Sequence, residues 1–295
     1  MIVYGIDNGY HYTKDSDRHI FKSAIQRIDT SLKNENLIII DGVPYYFGKG
    51  NTTTDMDKID SEITKVCTLA SLAMKGSGDY YLVVGLPISQ YHKKKDKFKQ
   101  TIMDYNHTKV VYNDKKIDIR IIDVTVFAQG AGVLFNYPIP DGEYIIMDVG
   151  SYTINVVFVE LVNRIPQIIK YDTWYNGILV LYGNIINYIN QTYETNLDLM
   201  EAEKILKHNR LSIYNSKENI KFINQIKHDY LDDIFAKFKL RYKYITTPIL
   251  LCGGGGSLLH EMIEDKLPNS ILIPEPQFAN AIGYYNFGLQ KYGGV

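Results

Sequence analysis

The sequence has no long hydrophobic run, and no stretch approaches the roughly 18 uncharged apolar residues that a membrane-spanning helix needs. It also lacks a charged leader that is followed by an apolar segment and a cleavage site. Cysteine is scarce, and Cys67 and Cys252 lie far apart in apolar contexts, as expected for buried thiols in a reducing compartment. We therefore expect a cytoplasmic protein with no membrane partner.

An excess of charge of either sign is missing as well. The 32 basic and 33 acidic residues give a formal net charge of −1, which removes any general argument for nucleic acid or an anionic membrane as a partner. We predict no direct binding of nucleic acid. Apolar residues, in contrast, make up 45% of the 295 residues, which is enough for two domains that each have a core.

Helices and strands alternate along the chain after an opening meander of strands. Hydrophobic periodicity predicts helices over about 60–74, 91–105, 126–135, 177–193, 198–207, 216–239 and from 278 onward. Asp41-Gly42 and Asn113-Asp114 predict hairpin turns, and buried strands are predicted at 80–87 and 248–252. Residues 138–142 predict a linker, after which the chain repeats its opening order of elements.

The first strand runs directly into an acid and a glycine turn. Asp7, Asn8 and Gly9 follow the apolar residues 2–6, and Lys14 lies on the return strand of the same hairpin. A carboxylate at the end of a buried strand can hold a hydrated magnesium ion, while backbone N–H groups of the turn bind phosphate oxygens. Lys14 is placed to bring its ammonium group to a phosphate. An ordinary turn is the alternative for this stretch taken alone.

The same pattern returns in the middle of the chain. Asp148 and Gly150 follow the strand YIIM, and Ser151 and Thr153 add hydroxyl groups that can donate to phosphate. We interpret Asp7 and Asp148 as equivalent points of an internal duplication. Two such hairpins that face each other across a cleft between domains would hold one phosphate chain from both sides.

A run of four glycines follows the predicted strand at 248–252. Between a strand and a helix, glycine permits close approach of the backbone to a flat ligand, and the helix N-terminus attracts negative charge. The run is not a Walker A loop, because no Gly-Lys-Ser/Thr follows, and it does not match the dinucleotide-binding pattern. A tight structural turn is the alternative.

Taken together, these motifs resemble the actin superfamily, particularly its bacterial ParM-like plasmid-segregation proteins. The motifs are Asp7-Asn8-Gly9 with Lys14, VFAQGAG at 126–132, IIMDVGSYT at 145–153, LLCGGGGSLL at 250–259 and PQFANAIGYY at 276–285. The resemblance implies an α/β, actin-like ATPase fold with two ribonuclease-H-like domains that flank a nucleotide cleft. Domain I would be residues 1–139, completed by a C-terminal helix at about 277–295, and domain II would be residues 140–276 with the adenosine-binding motif.

The resemblance also implies roles for individual residues. The nucleotide-binding residues would be Asp7, Asn8, Gly9, Tyr10, Lys14, Gly150, Ser151, Tyr152, Thr153, Glu201, Lys204, Gly253, Gly254, Gly255, Gly256 and Ser257. Asp7 and Asp148 would hold Mg²⁺ through water. Gln129, at the start of a first connecting helix, would orient the attacking water, because a neutral amide is not a strong base. Asp7 and Asp148 would complete the catalytic group.

Other features leave alternatives open. An exposed ion pair on a helix is the other explanation for Glu201 and Lys204. Relatives often carry an acid where this chain has Asn155, and a small residue where it has Tyr152. The dense basic run YHKKKDKFKQ at 91–100 is expected to form the solvated face of a helix, or a contact with the acidic surface of a neighbouring protomer or with an adaptor protein.

The resemblance implies a mechanical function. The protein would be an ATPase that binds ATP or GTP with Mg²⁺ and forms homopolymeric filaments. These filaments would segregate plasmid DNA through a ParR-like DNA-binding adaptor. The alternative is a small-molecule kinase of the same superfamily, acting on a sugar or a carboxylate, which needs a base where this chain has Gln129. A chaperone ATPase would need a substrate-binding region after residue 285, and the sequence ends soon after it.

Overall fold

Two large β-sheets, with helices on both faces, build the molecule. The computed structural model describes residues 1–28, 36–52, 59–163, 165–214 and 216–293. The ten-stranded first sheet contains β1 (Ile2–Asn8), β2 (Tyr12–Asp15), β3 (Ile20–Lys22), β4 (Ala24–Arg27), β5 (Leu37–Ile40), β6 (Val43–Phe47), β7 (Asn51–Thr52), β8 (Gly78–Leu86), β9 (His107–Tyr112) and β10 (Lys115–Ala128). The five-stranded second sheet contains β11 (Gly142–Val149), β12 (Ile154–Val162), β13 (Ile165–Trp174), β16 (Ile249–Cys252) and β17 (Ser270–Leu272), while β14 (Leu211–Ile213) and β15 (Ser216–Glu218) form a separate hairpin.

The helices lie between these strands in the chain. They are α1 (Glu62–Lys75), α2 (Ile88–Met103), α3 (Val133–Asn136), α4 (Ile178–Tyr193), α5 (Leu199–His208), α6 (Phe222–Arg241), α7 (Gly253–Lys266) and α8 (Ala279–Tyr292). Ser61 begins α1 by accepting a hydrogen bond from the Thr64 amide, as an N-cap residue does. No helix among the described residues is both long and apolar enough to cross a membrane.

Three sequence predictions about elements need correction. The helix expected over 126–135 is wrong in its first part, because β10 continues to Ala128 in parallel register with β8. Only the single turn of α3 is helical there. The helix expected from 216 begins at Phe222, since residues 216–218 pair with β14. The four glycines form the first turn of α7 instead of a loop before it.

Each sheet contains the same arrangement of five strands. The first sheet has the order β3-β2-β1-β8-β10, and the second has the order β13-β12-β11-β16-β17. In both, an antiparallel hairpin is joined to a parallel strand that the chain reaches by a crossover. The sheets therefore repeat one topology, which is the duplication that the order of elements indicates. We call the first sheet with its helices the first lobe, and the second sheet with its helices the second lobe.

Alternate residues of the central strands enter different cores. In the first lobe Leu82 packs with α1 and α2, whereas Val83 packs with Tyr284 of α8 on the other face. In the second lobe Met147 packs with α4 to α7, whereas Ile146 packs with α3. The molecule is thus layered, with α3 and α8 between the two sheets, α1 outside the first sheet and α4 to α7 outside the second. Helix α2 packs on the first sheet through Phe98 and Ile102, while Ile88 at its start joins the core between the sheets.

Candidate functional site

The first hairpin places a carboxylate and an ammonium group side by side. Asp7, near the end of β1, is opposite Lys14 of β2 in the antiparallel ladder. Side chains of directly opposed residues lie on the same face of a sheet. The Nζ atom of Lys14 lies 3.9 Å from Oδ2 of Asp7, and both side chains are largely buried. The hairpin therefore presents one carboxylate and one ammonium group at its tip.

The second hairpin repeats this geometry with different side chains. Asp148, near the end of β11, is opposite Asn155 of β12, so Asn155 occupies the position that Lys14 has in the first hairpin. Asn155 donates to Oγ1 of Thr153 and accepts a hydrogen bond from Thr173. The second hairpin thus has hydroxyl and amide groups where the first has a cation.

The tips of the two hairpins meet in one cleft. A cavity of about 50 Å³ is lined by residues of both, including Asp7, Lys14 and Asp148. The rings of Tyr10 and Tyr152 lie 5.6 Å apart, one from each tip. Two carboxylates that are separated by most of the first lobe in sequence therefore face the same space.

Two amide side chains hold these carboxylates in place. Gln129 lies in the connection between β10 and α3, where its backbone N–H donates to the carbonyl of Leu86, and its Nε2 donates to Oδ1 of Asp7 at 2.9 Å. Asn280, near the start of α8, donates to Oδ2 of Asp148 at 2.9 Å and accepts a hydrogen bond from the Gly130 amide. Asn280 thus connects the second lobe's carboxylate to the connection that carries Gln129.

The electrostatics of the cleft favour a cation. Burial raises the pKa of Asp148, and the nearby Asp7 raises it further, while Lys14 and the Asn280 amide oppose the shift. Two buried carboxylates that share a cleft repel each other, and a divalent ion between them relieves that repulsion.

This donor set fits Mg²⁺. Magnesium typically takes one or two carboxylates from the protein and fills its other positions with water and substrate phosphates. In the described part of the chain no group of three or more His, Cys, Asp or Glu side chains could hold a metal ion. Asp7 and Asp148, the two carboxylates that line the cleft, are the residues that would hold magnesium.

A larger pocket adjoins the cleft. Its volume is about 310 Å³, within the range of small-molecule sites, and it shares Tyr12, Lys14, Gly150 and Ser151 with the cleft. Its other lining residues are Ile178, Tyr182, Glu203, Leu206, Lys207, Gly254, Gly255, Ser257, Leu258 and Gln277. The space is large enough for a nucleoside whose phosphates extend into the cleft.

The glycine run gives this pocket a helix N-terminus. Cys252 precedes α7 and makes no side-chain capping bond, so it satisfies none of the first-turn N–H groups. Gly253 has a φ of +84°, and a Cβ there would lie 2.5 Å from Oδ1 of Asp148. Glycine is therefore required where α7 passes the carboxylate. The N–H group of Gly253 donates to the carbonyl of Pro276, so the N–H groups that follow it in the first turn are the ones that can attract an anion.

Some sequence-predicted residues lie elsewhere. Glu201 and Lys204 form an ion pair with each other on an exposed face of α5, and the residues of α5 that line the pocket are Glu203, Leu206 and Lys207. The Nδ2 atom of Asn8 donates to Thr68 of α1, so that amide group is directed away from the cleft.

Most of the other predicted residues line the cleft or the pocket. The cleft is lined by Gly9, Tyr10, Ser151, Tyr152 and Thr153, and the pocket is lined by Gly254, Gly255 and Ser257. Gly253 and Gly256 are buried behind it.

Comparisons with known proteins agree with this fold. The family model for the N-terminal domain of actin-like proteins matches residues 5–132, and the model for the C-terminal domain of the archaeal MreB-like actin homologue matches residues 146–265. No curated protein sequence matches the chain. The fold and the paired hairpins thus define a protein of actin-like architecture. With family models across both lobes, the chain belongs to the actin superfamily.

Solved structures with the same fold superpose on nearly the whole chain. A 15-stranded ParM filament from Clostridium botulinum superposes with a TM-score of 0.81 at 21% identity, covering 98% of this chain and 99% of that one. An archaeal actin homologue in complex with ADP gives 0.84 at 21% identity, covering 99% and 100%. ParM from Bacillus thuringiensis with AMPPNP gives 0.75 at 17% identity, covering 99% of each chain. The predicted fold class and the resemblance to ParM-like proteins are confirmed.

Proposed function

We propose that this protein is an actin-like ATPase that binds MgATP between its lobes and assembles into filaments. The observation that carries the proposal is that Asp7 and Asp148, from different lobes, line one cleft that adjoins a nucleoside-sized pocket. The solved relatives that hold ADP and AMPPNP support an adenine nucleotide as the ligand, and the ParM filament supports self-assembly.

The residues on each side of the cleft have separate tasks in this proposal. Backbone N–H groups at both hairpin tips, together with the hydroxyls of Ser151 and Thr153, bind phosphate oxygens. Lys14 neutralises phosphate charge from the first lobe. The first turn of α7 and the side chains of Glu203 and Lys207 surround the nucleoside. This assignment replaces Glu201 and Lys204, which the pocket does not include.

In the proposed hydrolysis, Gln129 is held in a position from which it can orient the attacking water. Gln129 is fixed by its backbone bond to Leu86 and its side-chain bond to Asp7, so its carbonyl oxygen is available to orient a water molecule. Asp7 and Asp148 would hold a hydrated metal ion, which would neutralise the charge that develops on the phosphates. Water positioning of this kind suits hydrolysis, whereas a kinase needs a base for its acceptor hydroxyl.

Contacts between the lobes couple this site to the shape of the molecule. The Tyr12 hydroxyl donates to Glu203 at 3.1 Å, and Arg18 forms a bidentate ion pair with Glu275. A nucleotide that contacts both lobes favours one angle between them, and its hydrolysis removes part of that preference. We propose that this change weakens contacts between protomers, and that the filament moves plasmid DNA through a ParR-like adaptor.

The test combines assembly with chemistry. ATP and Mg²⁺ are mixed with the protein, without any added acceptor, while light scattering and phosphate release are recorded together. We expect scattering to rise on addition of ATP and to decay as phosphate appears, and to persist with AMPPNP. A solution that stays clear at high protein concentration, with turnover only when a metabolite is supplied, contradicts the proposal and favours a kinase.

A further inference from the structure

Asn280 bridges the carboxylate of one lobe and the connection that precedes α3. It is the second residue of α8, and its side chain is buried, with 6% of the residue exposed. Its Nδ2 atom donates to Oδ2 of Asp148 at 2.9 Å, and its Oδ1 atom accepts a hydrogen bond from the Gly130 amide at 3.0 Å. Both polar groups of this side chain are therefore in use, one on a carboxylate and one on a backbone N–H group.

The orientation of this amide is determined by its two partners. An ionised carboxylate only accepts hydrogen bonds, and a backbone N–H group only donates them. If the amide were rotated by half a turn, its oxygen would face Asp148 and its NH₂ group would face the Gly130 N–H group, and both bonds would be lost. Asn280 thus has one arrangement that satisfies both of these buried groups.

The bond to Gly130 fixes the backbone on one side of Gln129. The Gly130 N–H group belongs to the peptide unit that follows Gln129. The N–H group of Gln129 belongs to the peptide unit before it, and donates to the carbonyl of Leu86 at 2.8 Å. Because each peptide unit is planar, these two bonds together hold both backbone dihedral angles of Gln129. The direction of a side chain depends on those angles, so Asn280 helps to set the position of the Gln129 amide through the backbone.

The packing around Asn280 leaves it little room to move. Helix α8 approaches the connection closely, since a Cβ on Gly283 would lie 1.9 Å from the carbonyl oxygen of Gly132. The residue before Asn280, Ala279, is buried in the core between the sheets. A side chain that is held on a rigid element can position a second group precisely, and Asn280 meets that condition.

These bonds form a continuous chain between the two carboxylates. From Asp7 it passes to the Gln129 side chain and along the backbone to Gly130. From Gly130 it passes through Asn280 to Asp148. In a buried site, linked hydrogen bonds polarise one another, so a change at one bond alters its neighbours. A change in the charge of Asp148 should therefore change the hydrogen bond of the Gly130 amide.

We propose that Asn280 is a positioning residue for ATP hydrolysis, which holds Gln129 in place through the Gly130 amide and links it to Asp148. This inference rests on the proposed ATPase function and adds a residue to it. Asn280 acts through Gln129 and has no contact with the attacking water in this account. Its removal should therefore affect the rate of hydrolysis more than the binding of the nucleotide.

Substitution of Asn280 by Ala removes both bonds without adding bulk. The matched control is Asn286→Ala, because Asn286 lies on the same helix and its Nδ2 atom donates to the carbonyl of Phe135 in α3 at 2.9 Å. Each variant loses an amide that joins α8 to α3 or to the connection before it, but only Asn280 contacts Asp148. Single-turnover phosphate release at saturating Mg²⁺, nucleotide affinity and denaturant unfolding are measured for both.

Asn280→Ala should slow phosphate release about tenfold and change nucleotide affinity by less than about threefold, whereas Asn286→Ala should change neither quantity. In a Gln129→Ala background, Asn280→Ala should slow phosphate release by less than about twofold, since the group that it positions is then missing. If the two effects multiply in the double variant, or if the control loses as much rate, Asn280 has only a structural role and the proposal is wrong.

A second measurement requires neither nucleotide nor turnover. The amide resonance of Gly130 is followed by NMR in ligand-free protein, with and without Asp148→Asn. Removal of the charge weakens the polarisation of Asn280, so the Gly130 amide proton should move upfield. The same change made in an Asn280→Ala background should leave that proton nearly unmoved, because the chain of hydrogen bonds is already broken.

The two measurements separate this inference from the proposed function. If the natural protein hydrolyses ATP and Asn280→Ala does so at the normal rate, the inference is wrong and the proposed function stands. If the natural protein hydrolyses no ATP, the proposed function fails, and the NMR comparison decides whether Asn280 links Gly130 to Asp148. A Gly130 resonance that Asp148→Asn does not move overturns the link in either case, even if Asn280→Ala fails to fold.

Discussion

At the scale of single residues, the proposed hydrolysis depends on the amide of Gln129. Its side chain contacts Asp7, and its only proposed task is to orient water. Replacing Gln129 with Ala should lower single-turnover phosphate release about 100-fold and leave nucleotide affinity nearly unchanged. Replacing Gln100, an exposed amide on α2, with Ala is the matched control and should change neither quantity. A Gln129 variant that hydrolyses ATP at the normal rate would remove Gln129 from the mechanism.

Asp148 should show a conflict between function and stability. Burial and the neighbouring Asp7 raise the pKa of Asp148, so its ionised form is costly without a cation. In metal-free, nucleotide-free buffer at neutral pH, Asp148→Asn should raise the midpoint of thermal unfolding, because the amide keeps the shape and removes the charge. The same variant should lose ATP turnover. A variant that is less stable than the natural protein would show that the charge is well compensated.

The sequence predicts the two carboxylates better than the nucleoside pocket. Asp7 and Asp148 end buried strands before a glycine, a local signal that can be read from one segment. Glu203 and Lys207 were missed because the rotation of α5 depends on which residues pack, and the structure buries Ala202 and Ile205. Asn280 could have been noticed as a polar residue among the small apolar residues of ANAIGYY, but its partner, Asp148, lies far away in the sequence on β11.

At the scale of elements, the packing of α8 on α3 depends on glycine. A Cβ on Gly283 would lie 1.9 Å from the carbonyl oxygen of Gly132, which is backbone and has little room to move. Gly283→Ala should therefore lower the free energy of unfolding by about 3 kcal/mol. The control is Gly183→Ala in α4, where the nearest atom is 3.9 Å away. That change should stabilise the protein by about 0.5 to 1 kcal/mol, as alanine does in a helix.

Denaturant titration measures both glycine variants. Equal stability of Gly283→Ala and Gly183→Ala would show that α8 and α3 can move apart without cost. A large loss in the first and a small gain in the second would show that these two helices hold the lobes together through close backbone contact.

The predicted boundaries of helices are wrong where pairing with another strand decides the structure. Residues 126–128 have a spacing that fits a helix, yet Val126 pairs with Val84 of β8, a partner that the local pattern does not specify. Residues 216–218 likewise form a strand because β14 is beside them. The hairpins at Asp41-Gly42 and Asn113-Asp114 were predicted correctly, since their turns are determined by adjacent residues with positive φ.

At the scale of the whole molecule, a ligand held by both lobes should stabilise the protein. At a concentration of MgADP about 100 times its Kd, binding should contribute about 2.7 kcal/mol and raise the midpoint of thermal unfolding by about 5 °C. EDTA should remove most of the gain, because in the proposed site Asp7 and Asp148 would reach the phosphates through the metal. An equal shift with and without EDTA would contradict the role given to the two carboxylates.

The repeated topology makes this whole-molecule account possible. Both sheets follow one strand order, and each ends its first hairpin with an aspartate at the cleft. Because the two hairpins belong to different lobes, neither forms a site alone. The order of motifs along the sequence predicts this pairing, whereas contacts such as that between Asn280 and Asp148 depend on how the layers stack.

The structure of the protein crystallised with Mg²⁺ and AMPPNP tests the central claim most directly. The account predicts one nucleotide per chain, with its terminal phosphates between Gly9 and Gly150, its metal beside Asp7 and Asp148, and its adenosine at the first turn of α7. A nucleotide bound anywhere else, or a metal that contacts neither carboxylate, would contradict it.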